Sequence, residues 1–175
     1  MPTSSRATLV RTYAVLAAIA GAIVLLDQYT KHLVRTLLAL GEIWMPLEWL
    51  APYARIVHWT NTGAAFGLFQ NGGMVFTVLA IIVSGAIIYY YRNVERASWL
   101  IRLALGLQLG GALGNLIDRL TRGTVTDFVS VGTFPVFNVA DSSISVGVAL
   151  LLVDMLLEQR RPPAPTEENP APHSP

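Results

Sequence analysis

The sequence predicts a membrane α-helical protein with four transmembrane helices and a small β-rich segment outside the membrane. Hydrophobic residues make up 53% of the 175 residues and charged residues only 13%, and the mean hydropathy is +0.52. A soluble domain carries about 25% charged residues, so this chain lacks the polar surface that a water-soluble fold needs. Four apolar runs, with a tryptophan-rich segment between the first two, complete the pattern.

The first predicted helix starts at about Tyr13 and extends past Leu26 to about residue 33. A helix needs about 20 mostly apolar residues to cross the hydrocarbon core of a bilayer. A cleavable signal peptide is an alternative, because arginines precede the run and residues 18–20 (AIA) resemble a cleavage site. The apolar run continues beyond that site, which favours a retained membrane anchor.

Three further apolar runs predict the other helices, at about residues 74–91, 99–119 and 136–157. The first of these is uncharged, the second contains Arg102 near one end, and the third contains Asp141 early and Asp154 late. Gly106, Gly110 and Gly114 recur every four residues on the third helix. Such small-residue repeats indicate close packing between membrane helices.

Arginine and lysine residues set the predicted orientation, because cytoplasmic flanks of membrane helices carry the excess of positive charge. Four spans place both termini and the loop at residues 92–98 on one side, which collects seven of the 12 basic residues. Both termini are therefore predicted to be cytoplasmic. Residues 1–159 form one predicted membrane domain, and the proline-rich residues 160–175 a disordered cytoplasmic tail.

The segment between the first two helices, residues 34–73, carries Trp44, Trp49 and Trp59 and a strand-like stretch at residues 54–60. Tryptophan favours the membrane–water interface. We therefore expect a small extracytoplasmic β-rich platform that lies on the bilayer.

Five short polar motifs lie at the ends of the apolar runs. They are residues 27–31 (DQYTK), 61–66 (NTGAAF), 114–119 (GNLIDR), 125–128 (VTDF) and 137–141 (FNVAD). An ionisable side chain at the centre of a membrane helix costs about 2.5–3.5 kcal/mol on insertion scales, so such residues are rare and usually functional. Their recurrence predicts a polar site at one level of the membrane.

Asp127 and Asp141 are candidates for a pair of catalytic carboxylates. Gly132 and Pro135 interrupt the residues between them, so the chain can turn back. Two neighbouring carboxylates cannot both ionise cheaply, and one that keeps its proton can act as a general acid beside a general base. Two unrelated aspartates that cap helices would show the same spacing, which does not decide between the two interpretations.

The remaining charged positions also have two interpretations. Asp27 and Lys31, at i and i+4, either anchor the first helix at the interface as a local ion pair or support an active site. Asn115, Asp118 and Arg119 share a helix face, from which the arginine could bind a carboxylate or a peptide carbonyl. The alternative is a salt bridge between Asp118 and Arg119 that only caps the helix.

Other classes of site have little support. Asn61 could offer its amide to a bound chain beside small residues that allow close approach, but this motif alone is weak. No cysteine is present, and the three histidines share no metal-ligand spacing, so no metal site and no cofactor is predicted. A net charge of +1 gives no reason to expect a nucleic-acid partner.

In their order, the five motifs resemble those of bacterial lipoprotein signal peptidases, the signal peptidase II family. The resemblance extends from Asp27 to Asp141 and implies four helices with an extracytoplasmic β-cradle. It implies that Asp127 and Asp141 are the catalytic dyad. Substrate-groove positions would be Asn61, Asn115, Arg119 and Asn138, while Asp27, Lys31 and Asp118 would be supporting positions.

The resemblance further implies an aspartic endopeptidase of the bacterial inner membrane. Such an enzyme removes the signal peptide of a prolipoprotein whose cysteine carries a diacylglyceryl group, and cuts just before that cysteine. The expected partners are therefore diacylglyceryl-prolipoproteins and membrane lipid.

Two other classes are weaker interpretations. A small four-span transporter could line a polar path with the same aspartates. However, the middle of the second span carries no polar motif, and the polar groups lie toward one side of the membrane. A presenilin-like protease is less favoured still, because its Gly-x-Gly-Asp motif is absent from the sequence.

Overall fold

Four long helices dominate the computed structural model, which describes residues 6–45, 47–63, 73–96 and 98–160. They are α1 (Arg6–Leu37), α2 (Gly73–Tyr91), α3 (Trp99–Arg122) and α4 (Val139–Gln159). Each is long and apolar enough to cross a membrane, which confirms the predicted fold class. Residues 64–66 of the second motif and residues 161–175 of the tail lie outside the described residues.

The helix bounds differ from those of the apolar runs that predicted them: α1, α2 and α3 are longer, whereas α4 begins at Val139, three residues after the predicted start, because Asn138 is its N-cap. The largest difference is at α1, which has 32 residues and begins at Arg6 rather than at Tyr13. At about 1.5 Å per residue this helix is longer than the hydrocarbon core is thick. A hydropathy pattern marks the part of a helix that lies in lipid, whereas the polar first turns are helical without contributing to it.

Glycines let α3 pack closely against both neighbours. A Cβ atom added at Gly106 or Gly110 would come within 2.7 Å of an isoleucine side chain of α1. One added at Gly111 would instead meet α4, at the carbonyl oxygen of Ala140 and the hydroxyl of Ser143. The predicted close packing through small residues is therefore confirmed, and α3 is the central helix of the bundle.

A three-stranded antiparallel sheet lies at one end of the bundle, with the strand order β1 (Ile43–Trp44), β2 (Ala54–Asn61) and β3 (Val125–Val131). Strand β2 is the stretch expected from the sequence. Strand β3 lies between the third and fourth predicted helices, where the sequence predicted no strand, and it carries Asp127 opposite Trp59. The sheet thus joins the segment after α1 to the segment after α3.

All three tryptophans of the first segment are more than half exposed. Such exposure fits a surface at the membrane interface, where an indole ring can contact both lipid and water. That the sheet lies on the bilayer stays a prediction.

Candidate active site

Strand β3 and the start of α4 bring Asp127 and Asp141 to one cavity. After β3, Gly132 turns the chain at a φ of 51°. Phe137 then pairs with Val129, because its backbone N–H donates to the Val129 carbonyl at 3.0 Å and its own carbonyl accepts from the Val129 N–H at 2.8 Å. The chain therefore folds back along β3 and starts α4 beside Asp127, as the turn residues predicted.

The cavity has a volume of about 720 Å³ and both polar and apolar walls. Its polar side includes Asn61, Asn115, Arg119, Asp127 and Asp141. Its apolar side includes Phe76, Leu79 and Val83 of α2, Ile144 and Val146 of α4, and residues 134–137 of the loop before α4. A polar centre that opens onto apolar helix faces can hold a peptide group and a hydrophobic chain at the same time.

Asp127 is only 1% exposed, and amides hold both of its carboxylate oxygens. The Nδ2 of Asn61 donates to Oδ2 at 2.9 Å, and the Nδ2 of Asn138 donates to Oδ1 at 2.7 Å. Burial, followed by the negative charge of Asp141, raises the pKa of Asp127 to about 7, although the two amides act in the opposite direction. At neutral pH a large share of Asp127 therefore retains its proton.

Asp141 occupies the first turn of α4, where its carboxylate is part of the helix cap. Its Oδ2 accepts the backbone N–H of Asn138 at 3.2 Å, and its own N–H donates to the Asn138 side-chain oxygen at 2.9 Å. This reciprocal capping box fixes the side chain against the helix start. Since the Asn138 amide also binds Asp127, one residue connects both carboxylates.

Asn115 of α3 holds Asp141 from the other side. Its Nδ2 donates to the Asp141 Oδ1 at 2.8 Å. Its Oδ1 accepts from the Nζ of Lys31 at 2.9 Å and from the Nδ2 of Asn138 at 3.1 Å. Because two donors occupy the oxygen of this amide, its nitrogen is directed toward Asp141.

Behind these amides lies a buried cluster of charges. Lys31 contacts the carboxylates of Asp27 at 2.8 Å and of Asp118 at 3.4 Å, and all three side chains have no exposed surface. The second oxygen of Asp27 accepts the backbone N–H of Ala140 at 3.0 Å. Asp27 and Lys31 thus connect α1 to α3 and α4 inside the bundle. The local ion pair expected from their spacing is present, but it is buried and does not lie at an exposed interface.

Asp118 and Arg119 lie next to each other in the sequence but act in different places. Among the described residues, the ion pairs of Asp118 are with Lys31 and Arg35, not with Arg119. Arg119 lines the cavity, where its guanidinium lies 5.7 Å from the ring centre of Phe76. The proposed cap between the two neighbours is therefore wrong, and Arg119 faces the space that a ligand would fill.

Two contacts of this site were missed in the sequence. The Nη1 of Arg35 donates to the Thr126 hydroxyl at 3.1 Å, and the Nε2 of Gln28 donates to the Gly114 carbonyl at 3.0 Å. A signal for Arg35 was present, since Asp27, Lys31 and Arg35 recur every four residues on one helix face.

In the part of the chain that the structure describes, no three histidine or acidic side chains are close enough to hold a metal ion.

Comparisons with known proteins find related sequences of one family. A sequence model of the family described as Signal peptidase (SPase) II matches residues 19–157. A lipoprotein signal peptidase of Shouchella clausii is 45% identical over 139 residues, which are 79% of this chain and 90% of that protein. A lipoprotein signal peptidase of Symbiobacterium thermophilum is 42% identical over 142 residues, which are 79% and 91% of the two chains.

A solved structure shares the fold. It is described as a bacterial membrane enzyme determined by the in meso method at 2.3 Å resolution, and it superimposes with a TM-score of 0.77 at 30% sequence identity. The likeness covers 88% of this chain and 93% of that one.

Proposed function

Because the chain belongs to the signal peptidase II family, we propose that it removes signal peptides from prolipoproteins with Asp127 and Asp141 as its catalytic pair. The observation that carries the assignment is that both carboxylates line one cavity and share Asn138 as a hydrogen-bond partner. Membership in a protease family also sets aside the transporter interpretation. The chain is a multi-pass membrane aspartic endopeptidase.

The two carboxylates can divide the acid and base roles. Asp127 supplies a proton at neutral pH, since burial raises its pKa to about 7. Asp141 takes a proton from water, and the water oxygen adds to the carbonyl carbon of the scissile peptide bond. Asp127 then gives its proton to the amide nitrogen, the C–N bond breaks, and the pair is left with one proton.

The amides and Arg119 hold the peptide and the pair in register. Asn61, Asn115 and Asn138 each donate to a catalytic carboxylate, so their side chains are fixed before substrate arrives. Arg119 lines the same cavity and can bind a peptide carbonyl of the substrate. Asp27, Lys31 and Asp118 support this layer from behind.

The apolar wall of the cavity accounts for the enzyme's requirement for a lipidated substrate. Apolar side chains of α2 and α4 line the same cavity as the carboxylates and offer a surface for acyl chains or for a hydrophobic signal peptide. Cleavage just before a diacylglyceryl cysteine would place the peptide bond at the carboxylates and the acyl chains on this wall.

Purified enzyme in detergent tests the substrate proposal. It should cleave a diacylglyceryl-modified prolipoprotein and leave the same chain with an unmodified cysteine largely intact, because only the modified chain can place acyl chains on the apolar wall. Product is measured by the mobility shift on gels. Equal rates on the two substrates would refute the lipid requirement but not the protease assignment.

The orientation is proposed from the arginine distribution: both termini and residues 92–98 face the cytoplasm, and the sheet faces outward. Glu48 and Asn93 are both exposed, and the chain contains no cysteine to interfere. In intact cells an impermeant thiol reagent should label Glu48→Cys and spare Asn93→Cys. The reverse labelling pattern would show that the protein is inverted.

A further inference from the structure

Arg35 lies one helical turn beyond Lys31, outside the polar motif of residues 27–31. Its side chain is only 14% exposed. Its Nη1 donates to the Thr126 hydroxyl at 3.1 Å and lies 3.4 Å from the Oδ1 of Asp118. One nitrogen of this arginine thus connects α1 to α3 and β3.

Thr126 directly precedes the catalytic Asp127, and three of its polar groups are held. Its backbone N–H donates to the Oδ2 of Asp118 at 3.0 Å. Its carbonyl accepts from the Nδ2 of Asn138 at 3.3 Å, and its hydroxyl accepts from Arg35. Because the direction of a strand side chain follows from its backbone, these contacts determine where the Asp127 carboxyl points.

Arg35 also balances the buried charges. Asp27 and Asp118 contribute two negative charges, and Lys31 contacts both of them. Without Arg35 this fully buried group of three would carry a net charge of −1. An uncompensated negative charge disfavours ionisation of a neighbouring carboxyl group.

Other charged side chains lie near Asp127 and near Arg35, but their positions differ from that of Arg35. Toward Asp127 lie Lys31 from α1, Arg119 from α3 and Asp141 from α4. Arg122 of α3 lies near Arg35 itself and repels it. Among the described residues, Arg35 is the only arginine in an ion pair with Asp118.

We propose that Arg35 is a positioning residue for Asp127, which it aligns through Thr126 and whose proton affinity it tunes by neutralising Asp118. This inference rests on the proposed function, because it assumes that Asp127 is catalytic. Arg35 therefore acts in the proposed reaction although it lies outside the five motifs.

The test compares Arg35→Gln and Arg35→Lys with a matched control, Arg55→Gln. Arg55 also binds a hydroxyl of β3, through its Nε to the Ser130 Oγ at 3.3 Å, but farther along the strand. For each variant, kcat and KM are measured between pH 5 and pH 9 on a diacylglyceryl-prolipoprotein. Hydrogen exchange of a peptide that covers residues 124–128 is measured in parallel.

Arg35→Gln should lower kcat about ten- to a hundredfold, with little change in KM, because a misaligned group slows the chemical step. Loss of the positive charge should move the alkaline limb of the kcat profile upward by about half a pH unit. Exchange at residues 124–128 should become faster. Arg35→Lys should leave the alkaline limb at its wild-type pH and lower kcat by a smaller factor. Arg55→Gln should match the wild type in both kcat and the alkaline limb.

A folded Arg35→Gln protein with wild-type kcat and wild-type alkaline limb would overturn the inference. So would a lower melting temperature with both kinetic measures unchanged, since that is a purely structural effect. If Arg35→Gln does not fold, Arg35→Lys decides, and full activity with unchanged exchange overturns the proposal. If the wild-type protein itself does not cleave, the proposed function fails, which is a distinguishable result.

Discussion

Each end of the helix bundle carries a carboxylate of α4 that accepts a hydrogen bond from α3 or from its N-cap residue, yet only one end forms a site. At one end Asn115 donates to Asp141. At the other end, where α1 begins and α4 ends, the Ser98 hydroxyl donates to Asp154. A charged residue within a membrane helix is therefore not sufficient to indicate function, and the surroundings must distinguish the two.

The surroundings differ in how far the contacts extend. From Asp141 they continue through Asn138 to β3 and through Asn115 to α1, around an open cavity. The Ser98 contact joins two helix ends, and Ser98 also caps α3 by accepting the N–H of Ile101 at 3.3 Å. Nearby on the same side, the buried hydroxyl of Tyr91 has no hydrogen-bond partner among the described residues. The contacts at the first end form an extended hydrogen-bond network, whereas the Ser98 contact at the second end joins only two helix ends.

The largest expected effect is at the network end. Asp127→Asn or Asp141→Asn should each lower kcat about a thousandfold or more, because either change removes the proton exchange of the pair. The double variant should be little worse than either single variant, since the two groups act as one unit. Cleavage of a lipidated prolipoprotein in detergent measures this. Near-normal turnover by either folded variant would refute the assignment of the pair.

A smaller effect follows from pH. Because burial and the charge of Asp141 raise the pKa of Asp127 to about 7, kcat should fall as the pH rises through that value and the pair loses its shared proton. The folded-state pKa lies above the unfolded value of 3.8, so stability also falls as the pH rises from about 4 to about 7. Asp127→Asn should lack this fall in melting temperature. A pH-independent difference between the two proteins would contradict the assignment.

The smallest effect is expected at the opposite end. Asp154→Leu removes the partner of Ser98 without touching the cavity, so kcat should stay within about twofold of the wild type. A polar contact between membrane helices contributes about 0.6 kcal/mol on average, so the loss of stability should be of that order. Thermal unfolding in detergent and the cleavage assay measure the two. A large loss of kcat would mean that the two ends are coupled.

Much of the fold could be predicted because lipid imposes a simple rule on composition. The four helices follow from apolar runs, and the glycine repeat of α3 indicated close packing. Strand β3 could not be predicted in the same way, although Val125, Val129 and Val131 favour a strand. Its pairing partner β2 lies 64 to 77 residues earlier in the chain, from Asn61 opposite Val125 to Ala54 opposite Val131, and aspartate is disfavoured in strands. The residue that weakens the strand pattern is the one proposed to be catalytic.

The candidate site was predictable where residue type alone suggested chemistry, as for the two aspartates. The roles of the amides were not, because an asparagine can donate or accept. Only the contacts of Asn115 with Lys31 and Asn138 show that its nitrogen is directed toward Asp141. Arg35 was missed since its partner Thr126 belongs to the strand that was not predicted.

The short distance between Asp27 and Lys31 has a consequence for biogenesis. The two groups are 2.8 Å apart within one turn of α1, so the helix carries its own counter-ion when a translocon delivers it to the bilayer. An unpaired ionisable side chain would add to the cost of insertion, whereas a neutral pair lowers it. Asp118 arrives later in synthesis with α3, and Gly114 leaves the space that the Asp27 carboxylate occupies, at 2.7 Å from where a Cβ would be. The charged cluster can therefore be assembled inside the membrane one helix at a time.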